Sequence, residues 1–81
     1  MTRRWAPKHN PKDLAASIVI EAAELLEVFQ WSGDDLECRD KHEQMEDELA
    51  DVFAYALLLA DRIGASPDQI LLKKLEKLEK K

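Results

Sequence analysis

Residues 14–30, LAASIVIEAAELLEVFQ, decide how this chain folds, because they combine good helix formers with an apolar stripe that is interrupted by acid. At about 100° per residue from Leu14, Ile18 falls near 40°, Leu25 near 20° and Glu21 near 340°. Glu21 therefore lies on the apolar stripe and Glu24 at its edge. An ionised carboxylate buried alone costs several kcal/mol, so it must be neutralised by a proton, a basic partner or a metal. No Lys or Arg occurs between Asp13 and Asp35, so the segment supplies no basic partner of its own.

Upstream of this stretch, Asn10-Pro11-Lys12-Asp13 reads as a helix start, with Asn10 as N-cap and Pro11 at the first helical position. The helix is expected to run through Gln30 and to stop at Trp31-Ser32-Gly33, since Gly accepts the left-handed conformation of helix C-termini. Downstream, the polar run from Gly33 to Asp47 reads as a loop, the first turns of a second helix, or both. From about Met45 to Ile63, apolar residues recur at Met45, Leu49, Val52, Phe53, Ala56, Ala60 and Ile63, the spacing of one helical face, and Gly64 ends it. Ser66-Pro67-Asp68-Gln69 is a capping-box start, and Ile70, Leu71, Leu72, Leu75 and Leu78 give a third helix with lysine on its other face. With no strand alternation and no repeat, the class is all-α, and three helices with short connections predict an antiparallel helical bundle.

The chain has 81 residues, 46% of them hydrophobic and 36% charged, which reads as one domain over residues 1–81. At this size a single core supplies about 3–5 kcal/mol, and natural chains add disulfides, a metal or a second subunit. Cys38 is alone, so no internal disulfide forms; metal and oligomer remain. Seventeen acids against twelve bases, a net charge of -5, argue against nucleic acid as a partner. The longest uncharged apolar run, Val52 to Ala60, is about half of a membrane span, so no membrane partner is expected. A lone cysteine and the lack of a signal-like start make the expected location cytoplasmic.

Acids three residues apart occur eight times, so spacing alone carries little information. Asp34–Glu37, Glu37–Asp40 and Asp40–Glu43 lie in polar sequence and read as solvated surface. Glu21–Glu24 and Glu48–Asp51 differ in being embedded among apolar side chains. Glu48, Asp51 and Tyr55 form a stripe that continues into Leu58 and Leu59, with no Lys or Arg between Lys41 and Arg62. If the two helices face one another, four carboxylates converge, an oxygen set suited to Mg²⁺, Mn²⁺ or Ca²⁺. The competing reading exposes these acids or pairs them with Lys73, Lys74 and Lys77. A di-iron carboxylate site is disfavoured, because neither His9 nor His42 has Glu three residues before it. His42 and Cys38 lie in polar sequence and carry no functional signal. Trp5, His9 and Trp31 lie at or beyond the edges of the helical stripes. There the tryptophans either stack a nucleobase or simply pin the N-terminus and cap the first helix, whereas Phe29 and Phe53 read as core.

These residues also resemble a known family, the MazG-like, all-α nucleoside triphosphate pyrophosphohydrolases, and within it the small dCTP pyrophosphatase branch. The resemblance rests on Glu21-Ala-Ala-Glu24, a spacer of 23 residues, then Glu48-Leu-Ala-Asp51, and on the text around them: Trp5 four residues before His9, EAAELLEVFQW, and EDELADVFAYALLLADRIG. It covers Trp5 to Gly64. It implies that Glu21, Glu24, Glu48 and Asp51 bind Mg²⁺, with Mn²⁺ an alternative, and that a nucleoside triphosphate is hydrolysed to the monophosphate and pyrophosphate. It implies further that Trp5, His9, Trp31 and Tyr55 surround base and sugar, and that the bundle is completed by homo-oligomerisation as a homodimer or homotetramer. The chain departs from the branch at Leu78, where relatives carry an asparagine that contacts the base. The alternative from another class is a non-catalytic helical oligomerisation module.

Overall fold

The computed structural model describes residues 10–80. They form α1 (Pro11–Glu27), a 3-10 turn (Arg39–Lys41), α2 (His42–Arg62) and α3 (Pro67–Glu79), with no strand among the described residues, so the fold is all-α.

The start of α1 is fixed by a reciprocal cap. Asn10 Oδ1 accepts the Asp13 backbone N–H at 2.8 Å, and Asn10 Nδ2 donates to Asp13 Oδ2 at 2.8 Å. The helix ends at Glu27 rather than at Gln30. Beyond it the N–H groups of Val28, Phe29 and Gln30 donate to the carbonyls of Leu25, Leu26 and Glu27, three residues back, so the coil tightens instead of continuing. Tertiary packing favours this, because Val28 turns inward and its carbonyl accepts a contact from the buried Cys38 Sγ at 3.8 Å. Gly33, at φ +58°, then lets the chain leave the turn.

The end of α2 is closed by the two bonds of a Schellman turn. Gly64, at φ +74°, donates to Asp61 O at 3.1 Å, and Ala65 donates to Ala60 O at 2.8 Å. At the next helix Ser66 occupies the N-cap position and its carbonyl accepts from Ile70 at 3.0 Å, but its side chain makes no capping bond. The expected capping box is thus present in sequence and not used.

Packing between elements comes from α1 lying antiparallel against α2. Along α1 and its C-cap, Leu14, Glu21 and Val28 are buried at seven-residue intervals, with Ile18 and Leu25 half-buried beside them. On α2 the facing row is Glu48, Asp51, Tyr55, Leu58 and Leu59, of which Tyr55 is buried and the others half-buried. This is a seam of heptad type. The apolar face expected from Met45 to Ile63 packs only in part: Ala60 is buried and Met45 and Val52 are half-buried, whereas Phe53 is 59% exposed and Leu49, Ala56 and Ile63 are also exposed, so Phe53 is not core. Phe29 is half-buried. Helix α3 buries none of its residues, so the described residues do not close a three-helix bundle. Exposed apolar side chains remain on all three helices, including Val19 and Leu26, Phe53 and Leu57, and Leu71 and Leu75.

Candidate metal centre

The heptad register carries the acids into the helix seam. Glu21 stands midway along α1 between Leu14 and Val28, and Glu48 and Asp51 stand on the row of α2 that packs against it. One carboxylate oxygen from each of Glu21, Glu48 and Asp51 lies within 4.8 Å of the other two. Glu21 is only 2% exposed, and Glu48, Asp51 and Glu24 are half-buried.

The electrostatics follow from this placement. Glu48 is held above the usual carboxylate range, first by burial, then by the charges of Glu24, Asp51 and Asp47, and also by a hydrogen bond with Glu24. Glu24 thereby joins the group through Glu48, although it lies outside the tight triangle. Glu48 Oε1 is buried and has no hydrogen-bond partner among the described residues. At an effective dielectric of about 20, two carboxylates some 4–5 Å apart repel by about 3–4 kcal/mol. An all-oxygen cluster of this charge, with a buried lone-pair site left over, fits a hard divalent cation. Among the described residues no cysteine or histidine shares the triangle, so the donor set is not that of a soft metal.

A second group of possible ligands, not anticipated from sequence, is formed by Asp35, Cys38 and Asp40, again within 4.8 Å of one another. The polarity of the whole Gly33–Asp47 run concealed it; a cysteine in such a run was the one available signal. Here the contacts are those of a loop staple. Asp35 Oδ1 accepts the Cys38 backbone N–H at 3.1 Å, Cys38 is 3% exposed with a left-handed φ of 48°, and both aspartates are exposed.

Among the other residues singled out in the sequence, Tyr55 is buried one turn beyond Asp51 on the same row, and Trp31 is 83% exposed in the turn after α1. Trp5 and His9 lie outside the described residues. Lys73, Lys74 and Lys77 are exposed on α3.

The molecule is therefore an all-α protein in which two acidic motifs, one from each helix of an antiparallel pair, meet across a packed seam. That class has a counterpart among known proteins: residues 16–81 match the model of the MazG-like family, and the chain belongs to it. It is 30% identical to dCTP pyrophosphatase 1 of Mus musculus and 32% identical to that of Bos taurus, in each case over 91% of this chain. The chain spans about half the length of these relatives, 46% and 47%. It is also 43% identical to a pyrophosphatase of known structure from Archaeoglobus fulgidus, with a TM-score of 0.81, over 89% of this chain and 70% of that one.

Proposed function

We propose that the chain, as a single domain over residues 1–81, is a nucleoside triphosphate pyrophosphohydrolase that hydrolyses (deoxy)nucleoside triphosphates to the monophosphate and pyrophosphate. The substrate class we favour is dCTP or a modified deoxynucleotide, and the setting is a cytoplasmic homodimer or homotetramer. The observation that carries this reading is the convergence of Glu21, Glu48 and Asp51, with Glu24 bonded to Glu48, in a MazG-like chain. The names of its relatives support the reaction.

In this reading Glu21, Glu24, Glu48 and Asp51 hold Mg²⁺ or Mn²⁺. When bound, the cation supplies charge neutralisation for the triphosphate and acidity for a water. The seam contributes rigidity: Leu14 and Val28 pack one turn-pair to either side of Glu21, so its carboxylate is held rather than swinging free. Ionised Glu48 accepts the cation only after losing the proton that its neighbours favour, so cation and proton compete for the same oxygen. Tyr55, Trp31, Trp5 and His9 are the groups assigned to base and sugar. A chain with a net charge of -5 attracts a polyanion poorly, so a cation held by these carboxylates would also offset their repulsion of the substrate.

Incubation with a panel of deoxynucleoside triphosphates and Mg²⁺ should release pyrophosphate, and Glu24→Gln and Asp51→Asn should suppress it. Orthophosphate as the sole primary product would overturn the assigned cleavage. The second reading, a non-catalytic oligomerisation module, is favoured by the exposed apolar rows and by Leu78. It predicts no turnover and no thermal stabilisation by millimolar Mg²⁺.

A further inference from the structure

The acids of the seam fix the register of α1 against α2. Glu24 is hydrogen-bonded to Glu48, and Glu21 has a carboxylate oxygen within 4.8 Å of one on Asp51. In an antiparallel pair a step back along one helix is matched by an equal step forward along the other. The same register therefore sets Ser17 opposite Tyr55, and Leu14 opposite Leu58. Burial agrees with it: Leu14 and Tyr55 are buried, and Ser17 and Leu58 are half-buried. The two acidic layers are thus followed by one layer of hydroxyls, and leucine closes the seam beyond it.

Tyr55 is only 7% exposed, and a buried tyrosine hydroxyl finds a hydrogen-bond partner. Its own layer offers Ser17, the acidic layer on one side offers Glu21 and Asp51, and the layer on the other side is leucine. Direction decides among them. Helical side chains lean toward the amino end of their own helix, and these two helices run in opposite senses. Tyr55 on α2 therefore leans toward the Glu21–Asp51 layer. Glu21 on α1 leans toward the Tyr55 layer, whereas Asp51 leans away toward Glu48, and Ser17 leans toward Leu14. Neighbouring layers are three or four residues apart, about 4.5–6 Å at 1.5 Å per residue, a gap that a phenol spans. Glu21 in turn needs a donor. It is 2% exposed, and neither residues 14–34 nor residues 42–61 contain a Lys or Arg.

We infer that the Tyr55 hydroxyl donates to the Glu21 carboxylate and holds it in place as a cation ligand, so that Tyr55 is a positioning residue of the metal centre. The inference rests on the metal-centre reading above, and it gives the hydroxyl a task separate from the ring's assignment to base and sugar. A hydrogen bond from O–H to a carboxylate is short and charge-assisted, and it fixes the torsions of Glu21. It occupies one of about four lone-pair positions on the carboxylate and leaves the rest for the cation. Such outer partners orient the groups that touch a metal.

The test removes the hydroxyl and keeps the ring, with circular dichroism verifying helix content. In Mn²⁺ titrations without nucleotide, followed by electron paramagnetic resonance, Tyr55→Phe should bind about 10–100-fold more weakly than the wild type, and Ser17→Ala within about twofold of it. Loosened packing alone would lower the melting temperature and leave Mn²⁺ affinity unchanged. In chelator, urea unfolding of Tyr55→Phe, Glu21→Met and the double variant closes a cycle, in which the two changes should depart from additivity by at least about fivefold in the unfolding constant. The corresponding cycle of Tyr55→Phe with Ser17→Ala should be additive. Wild-type Mn²⁺ affinity in Tyr55→Phe would overturn the inference, as would a cycle that couples Tyr55 to Ser17 and not to Glu21. A wild type that takes up no Mn²⁺ would remove the metal-centre reading instead, and the chelator cycle would still decide whether the bond exists.

Discussion

The chain contains two groups of three potential ligands with the same tight spacing, Glu21–Glu48–Asp51 in the helix seam and Asp35–Cys38–Asp40 in the connection between α1 and α2. Their surroundings are opposite. In the seam the most buried member is a carboxylate, Glu21, and the neighbouring Glu48 is pushed toward its protonated form. In the connection the buried member is a thiol that already contacts Val28 O, while the two carboxylates face water. Proximity is thus shared and burial is not. Burial removes the water that would otherwise absorb the repulsion, and only then does a cluster of acids call for a cation.

The contrast is broken most severely by exchanging charge for amide in each group. Glu48→Gln or Asp51→Asn should lower pyrophosphate release about a hundredfold or more, since metal-borne stabilisation of the reaction is worth several kcal/mol. Asp35→Asn and Asp40→Asn should leave it within about twofold. A comparable loss from both groups would erase the distinction.

Stability gives the next largest effect. A cation held at 100 times its Kd stabilises the native state by about 2.7 kcal/mol. For a domain of this size that is a rise in Tm on the order of 10 °C. Mg²⁺ should produce such a rise in the wild type and in Asp35→Asn, and little or none in Glu48→Gln, as read by differential scanning calorimetry.

The raised pKa of Glu48 adds a pH dependence whose direction is set by its sign. Because the folded protein holds this proton more tightly than the unfolded chain, whose carboxyl titrates near 4.5, Glu48 adds stability as the pH falls from above its folded pKa toward 4.5. In chelator, the urea midpoint of the wild type should therefore gain from acidification relative to Glu48→Gln; saturating Mg²⁺ should shrink that difference. A wild type that loses more than the variant on the same acidification would reverse the assignment.

The smallest effect belongs to the connection. Asp35→Ala removes the acceptor for the Cys38 N–H and should cost about 1 kcal/mol of stability with no change in Mg²⁺ response. Loss of the Mg²⁺ response in this variant would show that the two groups are not separate.

Much of the seam was legible in the sequence, because the angular position of Glu21 among Leu14, Ile18 and Leu25 needs only helical geometry, and the structure buries it there. The Glu48–Asp51–Tyr55 row was legible for the same reason. What periodicity could not supply was the choice between faces. Helix α2 is apolar on more than one side, so the Leu49–Phe53 row looked like the core, while the packed row is the one that carries the acids. The end of α1 was misplaced by three residues because Gly33 is a valid stop signal, whereas the pull of Val28 toward Cys38 is a contact across ten residues that no local rule contains. The apolar seam of α3 was legible as amphipathic, but an amphipathic face records only that a partner surface is required, and among the described residues none buries it.

The claim on which the functional reading turns is that the buried acids are cation ligands, and Mn²⁺ binding followed by electron paramagnetic resonance tests it without reference to any substrate. The wild type should remove Mn²⁺ from the free aqueous signal in saturable fashion, Asp35→Asn should do the same, and Glu48→Gln should bind at least tenfold more weakly. Equal Mn²⁺ binding by the wild type and Glu48→Gln would contradict the assignment of the seam as the metal centre.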